Sequence, residues 1–165
     1  MLTKILGYAI MSLLLMYSDL LGYGGGIVKL STRGRYGVKA MFDLAANQHN
    51  GPVSLKSIAE RQNLSEAYLE QLFANLKKAG LVKSVRGAQG GYLLGDEAEN
   101  ITVGQILRTL EGTVAPVECV DDMNDGAEEC PDADNCVTRF IWQKIRDSIA
   151  EVIDSITLQD MIERQ

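Results

Sequence analysis

All three cysteines of the chain, Cys119, Cys130 and Cys136, fall in one short acidic stretch. Their spacing is Cys-x10-Cys-x5-Cys, with no histidine or fourth cysteine nearby. From Asp121 to Asp134 there are seven acids and no Lys or Arg. Three cysteines in 165 residues exclude a disulfide scaffold. Buried structural cysteines would instead be scattered through apolar segments. Three thiolates in one polar, glycine-containing loop, with one position left open, suit a metal or cluster that can be lost or sensed. Zinc accepts the same donors. Calcium fits worse: Asp121 to Gly126 matches a calcium loop at its first, fifth and sixth positions, but Met123 occupies a ligand position.

A second group of residues points to nucleic acid. Arg86-Gly87-Ala88-Gln89-Gly90-Gly91 lies between two β-like runs, Leu81 to Val85 and Tyr92 to Leu94. Two strands around a glycine-rich loop make a wing, and glycine lets its tip approach a phosphate or enter a groove. An arginine there suits a narrow minor groove, where the potential is most negative. The loop lacks the lysine of a phosphate-binding loop and opens no helix, so nucleotide binding is not expected. His49 is the only histidine, which excludes any mechanism needing two. It has no nucleophile beside it, and an enzyme is not expected.

The elements that must position these groups follow from periodicity and punctuation. Thr32 is placed to cap a helix to about His49, with Tyr36, Ala40, Met41, Leu44 and Ala45 at helical spacing. Asn50, Gly51 and Pro52 break it. Ser54 caps a second helix with Leu55, Ile58 and Ala59, and Gln62 and Asn63 form a polar turn. Ser65 caps a third helix carrying Tyr68, Leu69, Leu72, Phe73 and Leu76, which Gly80 ends. Two helices around a tight turn have the spacing of a helix-turn-helix. The exposed face of the third helix should present Glu66, Ala67, Glu70, Gln71 and Asn75. Glu accepts from cytosine N4 and Gln pairs with adenine.

Thr102-Val103-Gly104-Gln105 is a capping box opening a helix that Gly112 ends. A long helix is expected from about Val137 to Ser155, with Ile141, Ile145, Ile149, Val152 and Ile156 along one face. Such a face needs a partner. Thr157-Leu158-Gln159-Asp160 reads as a capped final turn.

Charge separates along the same line. Residues 29–95 hold ten Lys/Arg against four acids, a net +6, and residues 96–165 hold five against seventeen, a net −12. The formal charge of −6 therefore hides a basic half suited to an anionic surface. The expected organisation is a leader over 1–27, a winged helix-turn-helix DNA-binding domain over 28–95, and dimerisation helices over 96–165 with a cysteine loop at 119–136. The fold class is mainly α with a small β wing and a long C-terminal dimerisation helix.

Residues 1–27 carry only Lys4 and Asp19. The uncharged run Ile5 to Ser18 is fourteen residues, short of the roughly 18–20 a bilayer span needs. No small-residue cleavage site follows it, so secretion is not expected. Gly24, Gly25 and Gly26 precede Ile27 and Val28. Glycine codons in series can spell a ribosome-binding site and valine can be encoded by the start codon GTG. The native protein is expected to begin at Val28, and a glycine linker after a hydrophobic helix is the alternative.

Several motifs together resemble the IscR/CymR family of winged-helix repressors. They are Lys29-Leu30-Ser31-Thr32-Arg33-Gly34-Arg35-Tyr36-Gly37, Tyr68-Leu69-Glu70-Gln71-Leu72, Gly80-Leu81-Val82 and Ser84-Val85-Arg86-Gly87 with Gly90-Gly91-Tyr92. The resemblance covers residues 28 to about 162, and family members begin at the residue matching Val28. It implies that Ala67, Tyr68, Glu70 and Gln71 read the major groove and that Arg86 enters the minor groove. Ser65, Gly87, Arg33 and Arg35 complete the candidate DNA-contacting set. It implies a homodimer through an antiparallel pair of long helices. Two-fold symmetry then places two recognition helices on a palindromic operator, about 34 Å apart or a multiple.

The resemblance also implies a [2Fe–2S] cluster on Cys119, Cys130 and Cys136. The first spacer is longer than in the best-known iron–sulfur regulator, Arg139 stands where its histidine ligand would be, and Ala88 replaces a common wing proline. The fourth ligand is then Glu128, Glu129, Asp132, Asp134, a solvent or thiol molecule, or a partner-chain residue. Carboxylates near an anionic cluster raise the energy of adding an electron, so a low reduction potential is expected. The expected function is a cytoplasmic transcription repressor of iron–sulfur or cysteine metabolism genes, sensing that cluster. Ser54-Leu55-Lys56-Ser57-Ile58-Ala59, Leu64-Ser65-Glu66 and Pro116-Val117-Glu118 also resemble the cysteine-metabolism branch, which acts without a cluster through a cysteine-synthase partner. A zinc-binding or membrane-tethered interaction module is the reading of another class.

Overall fold

The computed structural model describes residues 31–87, 89–121 and 135–165. The proposed leader, Ala88 and Cys130 lie outside these residues. Six helices and one β-hairpin are described. They are α1 Thr32–Asn47, α2 Leu55–Gln62, α3 Glu66–Lys78, β1 Val82–Val85, β2 Gly91–Leu94, α4 Val103–Glu111, α5 Arg139–Asp154 and α6 Leu158–Glu163. The chain is mainly helical with a small antiparallel sheet, as its periodicity indicates.

The cap of α1 is Ser31 rather than Thr32. Ser31 is extended, and its hydroxyl oxygen accepts from the Arg33 N–H at 3.0 Å, while Thr32 is already helical. The helix ends at Asn47 and continues as a 3-10 turn, Gln48–Asn50. Ser54 caps α2 by accepting from the Ser57 N–H at 3.1 Å. Asn63 then turns the chain in the left-handed region at φ 52°, a conformation asparagine tolerates among non-glycine residues. Ser65 occupies the capping position of α3, but its side chain makes no capping bond. Glu66 supplies the negative charge in the first turn instead, and Lys77 and Lys78 sit in the last, both matched to the helix dipole.

Gly80, at φ 78°, closes α3 as a Schellman motif. Its N–H donates to Lys77 O at 3.0 Å and the Leu81 N–H donates to Leu76 O at 2.9 Å. The chain passes directly into β1, which pairs with β2 in the register Val82 to Leu94 and Val85 to Gly91. Val53 adds a one-residue third strand by exchanging backbone bonds with Tyr92 at 2.9 and 2.8 Å.

One hydrophobic cluster joins these elements to the C-terminal half. Met41, Leu44, Ile58, Leu72 and Phe73 share it with Ile101, Ile106, Leu110 and Leu158. The break in charge near residue 95 is therefore not a break in packing. The capping box of α4 forms through Gln105 N–H to Thr102 Oγ1 at 3.1 Å and Thr102 N–H to Gln105 Oε1 at 2.9 Å. A second box, Thr157 with Asp160, opens α6, and the Thr157 N–H holds the Asp160 carboxyl below its usual range.

The long helix α5 starts at Arg139, two residues later than its apolar pattern indicates, because Val137 and Thr138 form a turn. None of its residues is buried. Phe140 and Val152 are 58% and 57% exposed. They border an apolar groove of about 580 Å³ that also includes Ile141, Ile145 and Ile149. Ile153 completes this face; Ile156 lies beyond the helix end. Among the described residues, no helix is long and apolar enough to cross a membrane.

Candidate nucleic-acid interface and cysteine segment

The helix-turn-helix is α2, Asn63 and α3. Ser65, Glu66, Ala67, Glu70 and Gln71 are exposed at the start of α3, on the face opposite Leu69, Leu72 and Phe73. Asn75 is half-buried rather than exposed, and Ala74 takes the outward position. Tyr68 is also half-buried. Its ring meets Tyr36 edge to face, centroids 6.1 Å apart, so part of it braces α3 against α1. Arg33 and Arg35 are exposed on the first turn of α1.

The wing presents Arg86 and Gly87 to solvent. Gly87 has φ 127°, and the Gly90 N–H donates back to Gly87 O at 3.0 Å. A Cβ on Gly90 would lie 2.5 Å from Val85 O, so the loop closes too tightly for a side chain there. Lys77 Nζ donates to Ser84 Oγ at 2.6 Å and ties α3 to the wing.

A buried ion pair sets the turn of the motif. Asp43, 3% exposed, is the buried charged residue of the described chain. Arg61 Nε donates to its two carboxylate oxygens at 3.1 and 3.0 Å, with Arg61 NH2 also donating to Oδ1. Gln62 Nε2 donates to Oδ2 at 2.9 Å. Arg61 and Gln62 are the last two residues of α2, directly before Asn63. Asp43 therefore holds the end from which α3 departs. Its hydrogen bond, opposed in part by desolvation, raises the Arg61 pKa above the ordinary arginine value. Sequence reasoning missed this pair; the available signal was an acid on the apolar face of α1, between Met41 and Leu44.

The C-terminal half reaches α1 through Glu111, the last residue of α4. Glu111 Oε1 accepts from the Gly34 N–H at 2.6 Å and from the Ser31 hydroxyl. The first turn of α1 has no acid of its own, so a distant residue supplies its capping charge. Gly112, at φ 87°, then opens the segment that leads to the cysteines.

Cys119 is half-buried in a 3-10 turn, Glu118–Val120. Arg146 NH1 donates to Val120 O at 3.0 Å and fixes that turn on α5. Cys136 is half-buried just before α5, its Sγ 3.3 Å from Thr138 Oγ1. Cys130 and the candidate ligands Glu128, Glu129, Asp132 and Asp134 lie outside the described residues. Among the described residues, no three His, Cys, Asp or Glu side chains gather as a metal site. By donor chemistry, two part-exposed soft thiols at the ends of one segment fit a cluster-binding loop. Arg139 is not an ordinary metal ligand. The end of α5 is fastened to α4 by an Arg108–Asp154 fork, 2.7 and 2.6 Å, which holds the Asp154 carboxyl below its usual range.

A helix-turn-helix followed by a short hairpin wing, with a long helix beyond it, defines a winged-helix transcriptional regulator. The family described as Rrf2, iron-dependent transcriptional regulator, matches residues 30–164, and the chain belongs to it. The HTH-type transcriptional regulator CymR of Bacillus subtilis (strain 168) is 50% identical over 134 residues, covering 81% of this chain and 89% of the relative. The HTH-type transcriptional regulator IscR of Erwinia tasmaniensis is 41% identical over 138 residues, covering 84% and 81%. Among solved structures, the global cysteine regulator CymR of B. subtilis is similar with a TM-score of 0.69 at 49% identity, over 84% of this chain and 99% of that one. IscR of T. potens is similar with a TM-score of 0.68 at 56% identity, over 82% and 87%. The protein is thus a transcriptional regulator of the IscR/CymR type and not an enzyme.

Proposed function

We propose that the protein is a cytoplasmic, homodimeric DNA-binding repressor whose affinity responds to a [2Fe–2S] cluster on Cys119, Cys130 and Cys136. The observation that carries this is the placement of Cys119 and Cys136 within the α4–α5 connection, Cys119 in the Glu118–Val120 turn held on α5 and Cys136 three residues before that helix. One end of the connection begins just after Glu111, which caps α1. The other runs directly into α5, whose apolar face suits a second copy. A change in how this segment is held acts on the DNA-reading half and on the dimer helix together. Such a cluster, when bound, makes occupancy depend on iron, sulfide and oxidant. The fourth ligand comes from the acids of the segment, from a small molecule or from the partner chain.

Ser65, Ala67, Tyr68, Glu70 and Gln71 are proposed to face the major groove. Arg86 and Gly87 are proposed to face the minor groove, with Arg33 and Arg35 on the backbone. A two-fold dimer then reads a palindromic operator, and iron–sulfur or cysteine metabolism genes are the proposed targets. Arg86→Ala should bind operator DNA about tenfold more weakly and lower the salt slope by about 1. Binding equal to wild type at matched salt would remove Arg86 from the interface.

Anaerobic reconstitution with iron and sulfide tests the sensor. Visible absorption with matching iron and sulfide content is expected, and it should disappear when Cys119, Cys130 and Cys136 are changed to Ala. Colourless protein that retains zinc rejects the cluster. The similarity to CymR favours a second reading, a cluster-less cysteine repressor acting through a cysteine-synthase partner. Capture of that enzyme by iron-free protein would reverse the ranking.

A further inference from the structure

A polar groove of about 620 Å³ opens between the end of α1, the outer face of α2 and the wing. Asn47, His49, Asn50, Ser57, Arg61 and Gln89 contribute to its walls, and among the described residues no Asp or Glu lines it. Its side chains are rich in hydrogen-bond donors, and the described chain places it beside the basic wing. Arg61 has five N–H groups. Its Nε and NH2 are engaged by Asp43, which leaves NH1 outside that pair, and the side chain as a whole is 39% exposed and lines the groove. The carboxylate of Asp43 is buried beneath and is already taken by Arg61 and Gln62. The arrangement is a planar cation held from behind, with the side chains of Asn50 and Gln89 beside it and those of Asn47 and Ser57 already bonded to Asp43 O and Ser54 Oγ. That chemistry recognises an oxyanion, and phosphate suits the fork of an arginine.

We propose that this groove seats a backbone phosphate of the bound DNA, a third contact beside α3 and the wing, with Arg61 as its charged donor and Asp43 as the residue that positions it. The proposal rests on the DNA-binding reading of α3 and the wing. It adds a contact that carries no sequence information, because every nucleotide presents the same phosphate. It also accounts for the buried cost of Asp43: the pair fixes an arginine rotamer that would otherwise be lost to solvent freedom.

Replacing Arg61 itself would strand a buried carboxylate, so the test uses Ser57. Ser57 is the third residue of α2 after its cap Ser54, the position where Glu or Gln completes a capping box. Ser57→Glu and Ser57→Gln therefore both suit the helix and differ by one charge at the groove. The Glu variant should bind mixed-sequence duplex DNA about tenfold more weakly than the Gln variant at low salt. The gap should narrow as KCl rises, because only a charge effect is screened. Thermal unfolding of both confirms that the fold is held. Equal binding by the two variants, or a gap that does not respond to salt, overturns the groove assignment alone. Wild-type protein that binds no duplex overturns both this proposal and the DNA-binding reading beneath it.

Discussion

Gly37→Ala should lose about 2–3 kcal/mol of stability, although alanine is the better helix former. Gly37 lies inside α1, where its replacement by Ala would gain about 1 kcal/mol in an exposed helix. Here a Cβ would stand 2.0 Å from Leu110 Cδ1. Leu110 is 3% exposed and belongs to the shared core, so it has no free space to enter. Overpacking of this kind typically costs about 1–3 kcal/mol and more where the neighbour is fixed, which outweighs the propensity gain. Gly34, one turn earlier, meets Leu107 and Glu111 in the same way. The two glycines let α1 lie directly on α4. Urea denaturation should show a lower midpoint at unchanged slope. A midpoint equal to or above wild type would mean that α4 can withdraw without cost, and would contradict the tight α1–α4 contact.

Asp43→Ala should cost about 2–3 kcal/mol and weaken DNA binding without touching DNA. The loss of a fully buried pair partner reaches about 3–5 kcal/mol, but Arg61 is part-exposed and can turn to water, so the lower figure applies. Gln62 loses its acceptor as well. Both residues precede Asn63, and a loosened end of α2 lets the departure angle of α3 vary. The expected signature is a fall in denaturation midpoint together with weaker binding to duplex DNA that persists under conditions where the variant is fully folded. If affinity is unchanged in the folded variant, Asp43 serves stability alone.

Local patterns carried most of the secondary structure. Ser54, Gly80, the Thr102–Gln105 box and the Thr157–Asp160 box all act within three or four residues, so their partners are visible in the chain. The Ser31 cap was displaced by one position because Ser31 and Thr32 are chemically equivalent as caps; only the backbone angle separates them. Ser65 shows the converse. Its position is right, yet its hydroxyl is unused, since an exposed hydroxyl can be satisfied by water. Asn75 lies on the boundary between faces, where a helical wheel cannot tell half-buried from exposed. The early end of the α5 pattern fails for a similar reason: apolar spacing runs on through Val137, but the backbone there turns.

The residues alone determined the separation of a basic reader from an acidic half, the helix–turn–helix–wing order and the clustering of the cysteines. These follow from composition and short-range spacing, which need no partner from elsewhere in the chain. Tertiary structure decided what holds the reader in shape. Glu111 caps α1 from 77 residues away, Arg61 satisfies Asp43 across 18, and Gly37 is required by Leu110. The apolar face of α1 marks Asp43 as unusual, but none of the partners has a local signature, because a carboxylate, a guanidinium and a missing Cβ acquire their meaning only from the group brought opposite them by folding. The electrostatic cost of burying Asp43 and the steric cost of filling Gly37 exist only once the helices have met.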